Sequence, residues 1–169
     1  MYITFFSHTE EDIFMEQIRN AEEKDIPEVL ALLEQVNKIH HDGRPDIFNL
    51  ATKYSHDELK NIFQDKNTPV FVYENDGKIL GYAFCIMTEH KGERLLADMK
   101  TLYIDDICVD EKARGQHVGK KLYEKVLSHA RAEHCHNVTL NVWALNEPAR
   151  KFYEKLGMKI QKIGMEQIL

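Results

Sequence analysis

A segment rich in glycine and basic residues, Arg114-Gly-Gln-His-Val-Gly119, lies between a strand pattern and a helix pattern. The N-terminus of a helix leaves about four backbone N–H groups unpaired and carries a partial positive charge. Glycines let another group approach those amides closely, and Lys112, Lys120 and Lys121 add positive charge to an acidic chain. The segment therefore predicts a diphosphate site, with a plain strand-to-helix turn carrying solvated basic residues as the alternative.

Two adjacent acids, Asp105 and Asp106, interrupt an apolar strand pattern at positions 99–109. Acids are disfavoured in the middle of strands. Adjacent strand residues face opposite sides of a sheet, so only one of the two is expected to face a substrate. One carboxylate could accept a proton from a bound group; alternatively, both acids satisfy backbone groups or a loop.

The glycine segment resembles motif A of the GNAT family of N-acetyltransferases, Gln/Arg-x-x-Gly-x-Gly/Ala, with Arg114 in its first position and Gly119 in its last. His117 replaces the middle glycine of the pattern, and a positive φ there would strain the loop. A second segment, Asn146-Glu-Pro-Ala-Arg-Lys-Phe-Tyr-Glu-Lys-Leu-Gly157, is similar to the family's motif B, Asn-x-x-Ala-x-x-Phe/Leu-Tyr-x-x-x-Gly. The two motifs occur in the family's order, and the resemblance covers nearly the whole chain, from about Arg19 onward.

The resemblance implies an acetyl-CoA site between two diverging strands, the one before the glycine segment and the one after the long helix. The backbone of Ile107, Cys108 and Val109 would pair with the pantetheine arm, and an amide near Cys108 would polarise the thioester carbonyl. Turn amides would hold the pyrophosphate, and Asn146 would hold the pantetheine unless it only caps its helix. The other cofactor-binding residues assigned by resemblance are Arg114, Gly115, Gln116, His117, Val118, Gly119, Lys120, Ala149 and Tyr153.

The resemblance also implies the catalytic residues, Tyr153, Asp105 and Asp106. A tyrosine phenol at the sulfur would protonate the departing thiolate, although Tyr153 shares a helical stripe with core residues and could be a core aromatic. The acceptor amine implied by the family is an alkylammonium with a pKa near that of lysine, about 10.4, which must lose a proton before its nitrogen attacks. In polyamine-acetylating members the first acid of the pair is the proposed base, acting through water, so Asp105 is preferred over Asp106. Transfer through Cys108 would require an activated, exposed thiolate, for which the sequence offers no base. Direct attack within a ternary complex is therefore expected.

The acceptor pocket is expected to come from the loop after the first helix and from the long hairpin. Its candidate residues are His40, His41, Asp105 and Trp143, together with Asp42, Arg44, Asp46 and Phe48 of the loop. The alternatives are a solvated loop and, for the tryptophan, a buried core position. The resemblance allows diamines or polyamines, amino-acid or antibiotic amines, and protein N-termini or lysines. The acid pair and the net charge of -6 favour a cationic small amine.

The elements that must position these residues follow a mixed αβ pattern. Asp25-Ile-Pro-Glu28 and Ser55-His-Asp-Glu58 predict capped helix starts, and Asp76-Gly77 predicts a hairpin turn. Strands are expected at about 17–20, 70–73, 79–87, 99–109, 138–143 and 160–169, and helices from 26 to a break at Gly43 and at about 55–63, 118–134 and 146–156. The strand–helix–strand unit over 99–143 implies one parallel pair. The predicted class is α/β with a mixed sheet. The resemblance narrows it to the GNAT fold, mostly antiparallel with a central parallel pair splayed around the cofactor.

Composition sets the limits of this interpretation. The 169 residues suit one domain, placed at 16–169, with residues 1–15 as an N-terminal extension of unknown role. The acidic balance argues against nucleic-acid binding, no stretch is apolar enough to span a membrane, and three scattered cysteines indicate a reducing, cytoplasmic compartment. The nine histidines form no complete ligand set with zinc-like spacing, so no metal is expected. A small-molecule amine is the expected partner, and a homodimer is left open.

Two alternatives use the same features for other functions. A non-catalytic sensor would bind acyl-CoA in the same cleft without turnover. A nucleotide-binding αβ domain would use the glycine segment for another diphosphate. Tyr153→Phe separates an enzyme from a sensor, because only an enzyme has turnover to lose.

Overall fold

The computed structural model of the protein describes residues 16–169, so the predicted extension 1–15 lies outside the described residues. Two short 3₁₀ turns, Glu23–Asp25 and Glu111–Ala113, accompany five strands and four α-helices. The strands are β1 (Glu16–Asn20), β2 (Val70–Asn75), β3 (Lys78–His90), β4 (Met99–Val109) and β5 (Asn137–Leu140). The helices are α1 (Ile26–Gly43), α2 (His56–Gln64), α3 (Val118–Ala132) and α4 (Glu147–Lys155).

The five strands form one mixed sheet in chain order, β1-β2-β3-β4-β5. Neighbouring strands are antiparallel except β4 and β5, which are parallel and are joined through α3. The predicted hairpin between β2 and β3 is confirmed, with Asp76 at φ 51° and Gly77 at φ 74°, the left-handed pair that such a tight turn requires. The predicted α/β class is confirmed. The parallel pair lies at one edge of the described sheet rather than at its centre.

Different helices cover the two faces of the sheet. Along β2, Val70 and Val72 pack in the cluster of α1 and α2, whereas Phe71 and Tyr73 pack in the cluster of α3. This alternation is the period of two that a strand imposes on its side chains. The stripe predicted for α3 is buried against the second face, and its members are Val118, Leu122, Val126 and Ala130. The sheet is therefore covered by helices on both sides.

A β-bulge at Asp105 changes the face to which the end of β4 points. Phe84 of β3 pairs with Asp106 of β4, and the next residue of β3, Cys85, pairs with Ile104. Asp105 is therefore an additional residue on β4. Ile104 packs on the α3 side, whereas Cys108, four positions later, packs on the α1 side. In an unbroken strand both residues would face the same side, and an inserted residue is what reverses the alternation.

Three expectations about the ends of elements are wrong. No strand forms within 160–169, where the apolar residues are exposed and their irregular spacing gives neither face of a strand a continuous apolar side. β5 ends at Leu140, three residues before Trp143. Asp25 does not cap α1 with its side chain, because its carboxylate accepts hydrogen bonds from Arg19 at 2.6 and 2.8 Å. By contrast, the predicted capping box at the start of α2 is confirmed.

Candidate active site

The two parallel strands separate half-way along β4. Pairing runs from Thr101 opposite Asn137 to Ile104 opposite Leu140 and then stops, because β5 ends. β4 continues to Val109 and in this stretch pairs with β3 alone in the described sheet. Its backbone groups on the other side are therefore open to a ligand at the residues for which a pantetheine contact was predicted.

The glycine segment forms the turn that starts α3. His117 is the N-cap residue and has the left-handed conformation, φ 63° and ψ 9°, which a histidine adopts only at some cost. The Gln116 N–H already donates to the Ala113 carbonyl at 3.4 Å. The N–H groups of the first helical turn, over 118–120, have no intrahelical acceptor. These three amides are the available donors for an anion.

Space for an anion at this turn is provided by its first glycine. A Cβ built at Gly115, φ 81°, meets no atom within 4 Å, so the turn is open on that side. Gly119 has a different role: its Cβ would lie 3.4 Å from the Phe152 ring and 3.6 Å from Val109. The turn is therefore packed against both β4 and α4.

The four cations predicted to surround the turn differ in availability. Lys112, Arg114 and Lys120 are exposed. Lys121 instead binds the carboxylate of Glu16, and its ammonium lies 5.6 Å from the centre of the Tyr73 ring. Lys121 therefore joins α3 to the first strands, and the positive charge beside the turn comes from the other three.

α4 carries the second predicted motif. The Asn146 side chain accepts a hydrogen bond from the Ala149 N–H at 3.2 Å, so its predicted capping role is confirmed. The Tyr153 ring is half-buried, with its centroid 6.1 Å from that of Tyr123. Burial, and then the charge of Asp106, raise the pKa of Tyr153 well above its ordinary value. Its hydroxyl makes no hydrogen bond with any side chain or backbone group of residues 16–169, so its proton is available to a ligand.

A cavity of about 430 Å³ lies between α1, the segment 44–55 and β4. Five of the predicted acceptor and acid residues line it: His40, Phe48, Asp105, Asp106 and Trp143. Among the lining residues that were not predicted, Lys53 carries a charge. Both carboxylates face the same cavity, so the expectation that only one does so is wrong. The β-bulge at Asp105 is the reason, because it brings two successive side chains to one face.

The carboxylates have different partners. Asp105 accepts hydrogen bonds from Lys53 Nζ at 2.6 Å and from the Tyr54 hydroxyl at 3.1 Å. Asp106 accepts one from the Tyr82 hydroxyl at 2.7 Å. Burial raises the pKa of Asp106, and the hydrogen bond from Tyr82 offsets only part of that effect. Burial alone would lower the pKa of Lys53, but the adjacent Asp105 carboxylate outweighs it and raises that pKa.

Aromatic rings form the opposite wall of the cavity. Trp143 is 43% exposed, so the alternative of a buried core tryptophan is wrong. The Trp143 ring meets the Phe48 ring edge-on with a centroid separation of 5.3 Å. The centroids of the His40 and Phe48 rings lie 5.1 Å apart. His41 is not part of the lining; its Nδ1 lies 2.7 Å from the Phe48 carbonyl oxygen and holds the loop. Arg44 binds Asp46 and Glu166, so it too fixes the loop rather than facing the cavity.

Sequence reasoning missed three residues of this site, Lys53, Tyr54 and Tyr82. Lys53 and Tyr54 directly precede Ser55, the confirmed N-cap of α2. Their position next to a predicted helix start is the feature of the sequence that could have indicated them. The capping interaction holds the chain where it enters the helix, and both residues lie just before that point. No comparable local signal marked Tyr82, whose partner lies on the next strand.

A second cavity, of about 480 Å³, lies at the other end of the sheet and includes Lys100, His129 and Glu133. None of the predicted site residues lines it, so it is not the candidate active site. Within residues 16–169, no group of three acid, histidine or cysteine side chains is arranged to hold a metal ion. In the same residues, no helix combines the length and apolarity required to cross a membrane.

The family model described as Acetyltransferase (GNAT) family matches residues 33–158. The chain belongs to this family. Glucosamine 6-phosphate N-acetyltransferase from Arabidopsis thaliana is 32% identical over 111 residues, 66% of this chain and 70% of that protein. The enzyme of the same name from Trypanosoma brucei brucei is 29% identical over 159 residues, 91% of this chain and 96% of that one. Among solved structures, a tetramutant of the BH1408 protein from Bacillus halodurans has a TM-score of 0.87 at 32% identity, covering 90% and 99% of the two chains.

Family membership confirms both the resemblance drawn from the two motifs and the predicted fold. The GNAT protein described here is an acetyl-CoA-dependent acyltransferase, as its relatives named N-acetyltransferases are. The match over residues 33–158 includes the acid pair, the glycine segment and α4. The open side of β4, the turn at the start of α3 and the cavity beside α1 therefore lie within one GNAT domain.

Proposed function

We propose that the protein transfers the acetyl group of acetyl-CoA to a small primary amine by direct attack in a ternary complex. The observation that carries the proposal is the position of Asp105 and Asp106. Both acids line one cavity, and they lie immediately after the last β4 residue that pairs with β5. A base for the acceptor is thus adjacent to the stretch of β4 that is open to pantetheine. Residues 16–169 are proposed to form the catalytic domain.

The residues of the turn and of β4 fit acetyl-CoA. The first-turn amides of α3, over 118–120, would bind the pyrophosphate, with Arg114 and Lys120 adding charge. The open backbone of Ile107, Cys108 and Val109 would hydrogen-bond the pantetheine arm as a strand does. The absence of any atom near a Cβ built at Gly115 supports this fit, because a bulky anion needs that space.

The proposed reaction forms one C–N bond and breaks one C–S bond. Asp105 takes a proton from the acceptor ammonium through a water, and the free amine attacks the thioester carbon. A backbone amide near Cys108 stabilises the negative charge on the carbonyl oxygen. The tetrahedral intermediate expels the thiolate, which receives a proton from Tyr153. The amide nitrogen then gives up its second proton, which returns the Tyr153 phenolate to the phenol. Burial keeps that phenol protonated by raising its pKa, so it remains a donor throughout the neutral range.

Direct transfer is favoured over an acetyl-cysteine intermediate by the surroundings of Cys108. The thiol is buried, and its Sγ lies 3.6 Å from the Leu32 carbonyl oxygen in the core cluster of α1. Burial raises the pKa of Cys108 to about 12. A thiol in such a position is neither ionised nor accessible, and both conditions are needed for a nucleophile.

The acceptor is proposed to be a small molecule because the cavity volume, about 430 Å³, suits one. Relatives acetylate glucosamine 6-phosphate, as their names state. Carboxylates facing aromatic rings suit an amine, including the diamines and polyamines suggested by the acid pair. Acetylation of a protein N-terminus or lysine is the alternative. The free cysteines support a cytoplasmic location.

The test is a screen of acetyl-CoA consumption, followed through thiol release, over amino sugars, amino-sugar phosphates, diamines, polyamines, amino acids and short peptides. Release with small amines and not with peptides is expected. Calorimetry with coenzyme A, ATP and NAD provides the control. Binding of coenzyme A without turnover on any amine identifies a sensor, and preferential binding of ATP or NAD identifies a nucleotide-binding domain. Either result overturns the proposal.

A further inference from the structure

The acceptor cavity contains a cation that belongs to the protein. Lys53 lines the cavity, and its ammonium lies 2.6 Å from the carboxylate of Asp105. The Lys53 side chain is 42% exposed, so the protein does not enclose it. An acceptor that enters the cavity therefore meets one positive charge beside the two carboxylates.

The segment that carries Lys53 is held at several points. The Asn37 side chain of α1 donates to the Asn49 carbonyl at 3.0 Å and also to that of Ala51. Tyr54 stacks on the Phe84 ring with a centroid separation of 5.6 Å. The N-cap of α2 follows directly. The ammonium is therefore positioned before any acceptor binds, which lowers the entropic cost of using it for recognition.

Lys53 also has unused capacity for hydrogen bonds. A lysine ammonium has three donors, and among residues 16–169 only Asp105 accepts one of them. Asp105 receives a second bond from Tyr54, so it does not depend on Lys53 alone. Two donors remain for an anionic group of a ligand, while the carboxylates remain available to an ammonium.

We propose that Lys53 selects acceptors that carry an anionic group, phosphate or carboxylate, in the same molecule as the primary amine. The anionic group pairs with the Lys53 ammonium, and the amine lies against the carboxylates of Asp105 and Asp106. An acceptor with a second ammonium is disfavoured, because like charges repel at short range. This inference rests on the proposed transferase function and names the class of its substrate, which differs from the diamines suggested by the acid pair alone.

The experiment compares acceptors that differ only in the charge of one group. The shorter series consists of ethanolamine phosphate, ethanolamine and ethylenediamine, and the longer one of aminopentanol phosphate, aminopentanol and cadaverine. Two series are used so that an unsuitable distance between the amine and the second group in one of them does not decide the result. β-Alanine tests carboxylate against phosphate. kcat and KM are measured for wild type, Lys53→Met, Tyr54→Phe and Lys78→Met. The last variant removes an exposed lysine at the first residue of β3.

In the wild type, the anionic acceptor of at least one series is expected to have the highest kcat/KM. In Lys53→Met, the preference for it over the neutral analogue falls about tenfold or more through KM, and the preference for the diamine rises. Lys78→Met leaves both ratios unchanged, and Tyr54→Phe, which keeps the charge, retains the anionic preference. Each preference is a ratio of two kcat/KM values measured on the same variant. Partial unfolding lowers both values by the same factor and leaves the ratio unchanged.

Three results overturn the inference. If the wild type acetylates these amines but the ratios are the same in Lys53→Met, or if diamines are preferred from the start, Lys53 does not select the acceptor and the transferase function stands. If the wild type releases no thiol with any amine of the broader screen, the proposed function fails and the inference fails with it.

Discussion

The Tyr82 hydroxyl donates a 2.7 Å hydrogen bond to the Asp106 carboxylate, joining β3 to β4 at the floor of the acceptor cavity. Tyr82 is fully buried, and burial raises the pKa of Asp106 above its ordinary value of 3.8. A carboxyl group with a raised folded-state pKa holds its proton more tightly in the folded protein than in the unfolded chain. Its ionisation therefore lowers the free energy of unfolding as the pH rises.

Asp106→Asn is expected to stabilise the protein at neutral pH. The amide has the shape of the acid and still accepts the Tyr82 hydroxyl, but it has no charge to desolvate. The gain in unfolding free energy should be absent below pH 3.8, where the acid is protonated in both states, and should grow as the pH rises through the folded-state pKa. Urea unfolding at a series of pH values measures the difference in unfolding free energy between Asp106→Asn and wild type. A difference that is largest at acid pH would contradict the raised pKa of Asp106.

Tyr82→Phe is the converse change and should destabilise the protein by about 1–3 kcal/mol, because it leaves a half-buried carboxylate without its donor. Urea unfolding at neutral pH measures the loss. Combining it with Asp106→Asn is the control, since the double variant removes the charge as well. It should recover part of the loss, and strict additivity would mean that the two groups do not interact.

The two acids are expected to differ in catalysis. Asp105→Asn should lower kcat by about 100-fold or more, because Asp105 is proposed to be the base that deprotonates the acceptor ammonium. Asp106→Asn should have a smaller effect, since that carboxylate is bound to Tyr82 and its burial favours the protonated form. Steady-state kinetics at saturating acetyl-CoA and acceptor compare the two. The reverse order of losses would assign the base to Asp106.

Tyr153→Phe should lower kcat by about 100-fold while coenzyme A still binds, because the phenol is proposed to protonate the departing thiolate. Tyr123→Phe is the matched control: its ring lies 6.1 Å from that of Tyr153, and it should change kcat little. Calorimetry and turnover are both needed. Equal activity of wild type and Tyr153→Phe would make Tyr153 the core aromatic that its helical stripe also allows.

Much of the fold was predictable because its signals are local. The ends of β4, the Asp76-Gly77 turn and the start of α3 coincide with the predicted positions. Each depends on a few neighbouring residues: a run rich in β-branched and aromatic residues, a pair that tolerates positive φ, and a glycine-rich approach to an amphipathic helix. The same locality explains the two motifs, which lie on a single turn and a single short helix.

The arrangement of the acids was not predictable, because it depends on a β-bulge that no local residue marks. Asp105 has no glycine beside it, and a regular strand would have placed Asp105 and Asp106 on opposite faces. The role of Lys53 was hidden for a similar reason. Its partner is 52 residues away, and the segment 44–55 that carries it has no regular hydrogen-bond pattern from which its course could be inferred.

His117→Gly tests the one departure from the family's glycine pattern. His117 has φ 63°, where a Cβ costs about 1–2 kcal/mol, and glycine removes that strain at the cost of about 0.5–1 kcal/mol of chain entropy. A net gain of about 0.5 kcal/mol in unfolding free energy is expected, as in His134→Gly, a control at φ 55° after α3. Because backbone amides are proposed to bind the pyrophosphate, affinity for coenzyme A should be retained. A tenfold loss of affinity for coenzyme A in His117→Gly, but not in His134→Gly, would show that the His117 imidazole contacts the pyrophosphate.

Gly81→Ala tests how closely α3 approaches the sheet beneath the cofactor turn. A Cβ at Gly81 would lie 2.9 Å from the Cys108 carbonyl oxygen and 3.1 Å from both Val118 and Leu122. Backbone cannot yield as a flexible side chain does, so the substitution should cost about 1–3 kcal/mol of unfolding free energy. Gly164→Ala, where a Cβ meets nothing, should cost little. Helix α3 begins at the proposed pyrophosphate site, so its displacement in Gly81→Ala should also weaken the binding of coenzyme A. If the variant is destabilised but its affinity for coenzyme A is unchanged, the geometry of the turn does not depend on the contact at Gly81.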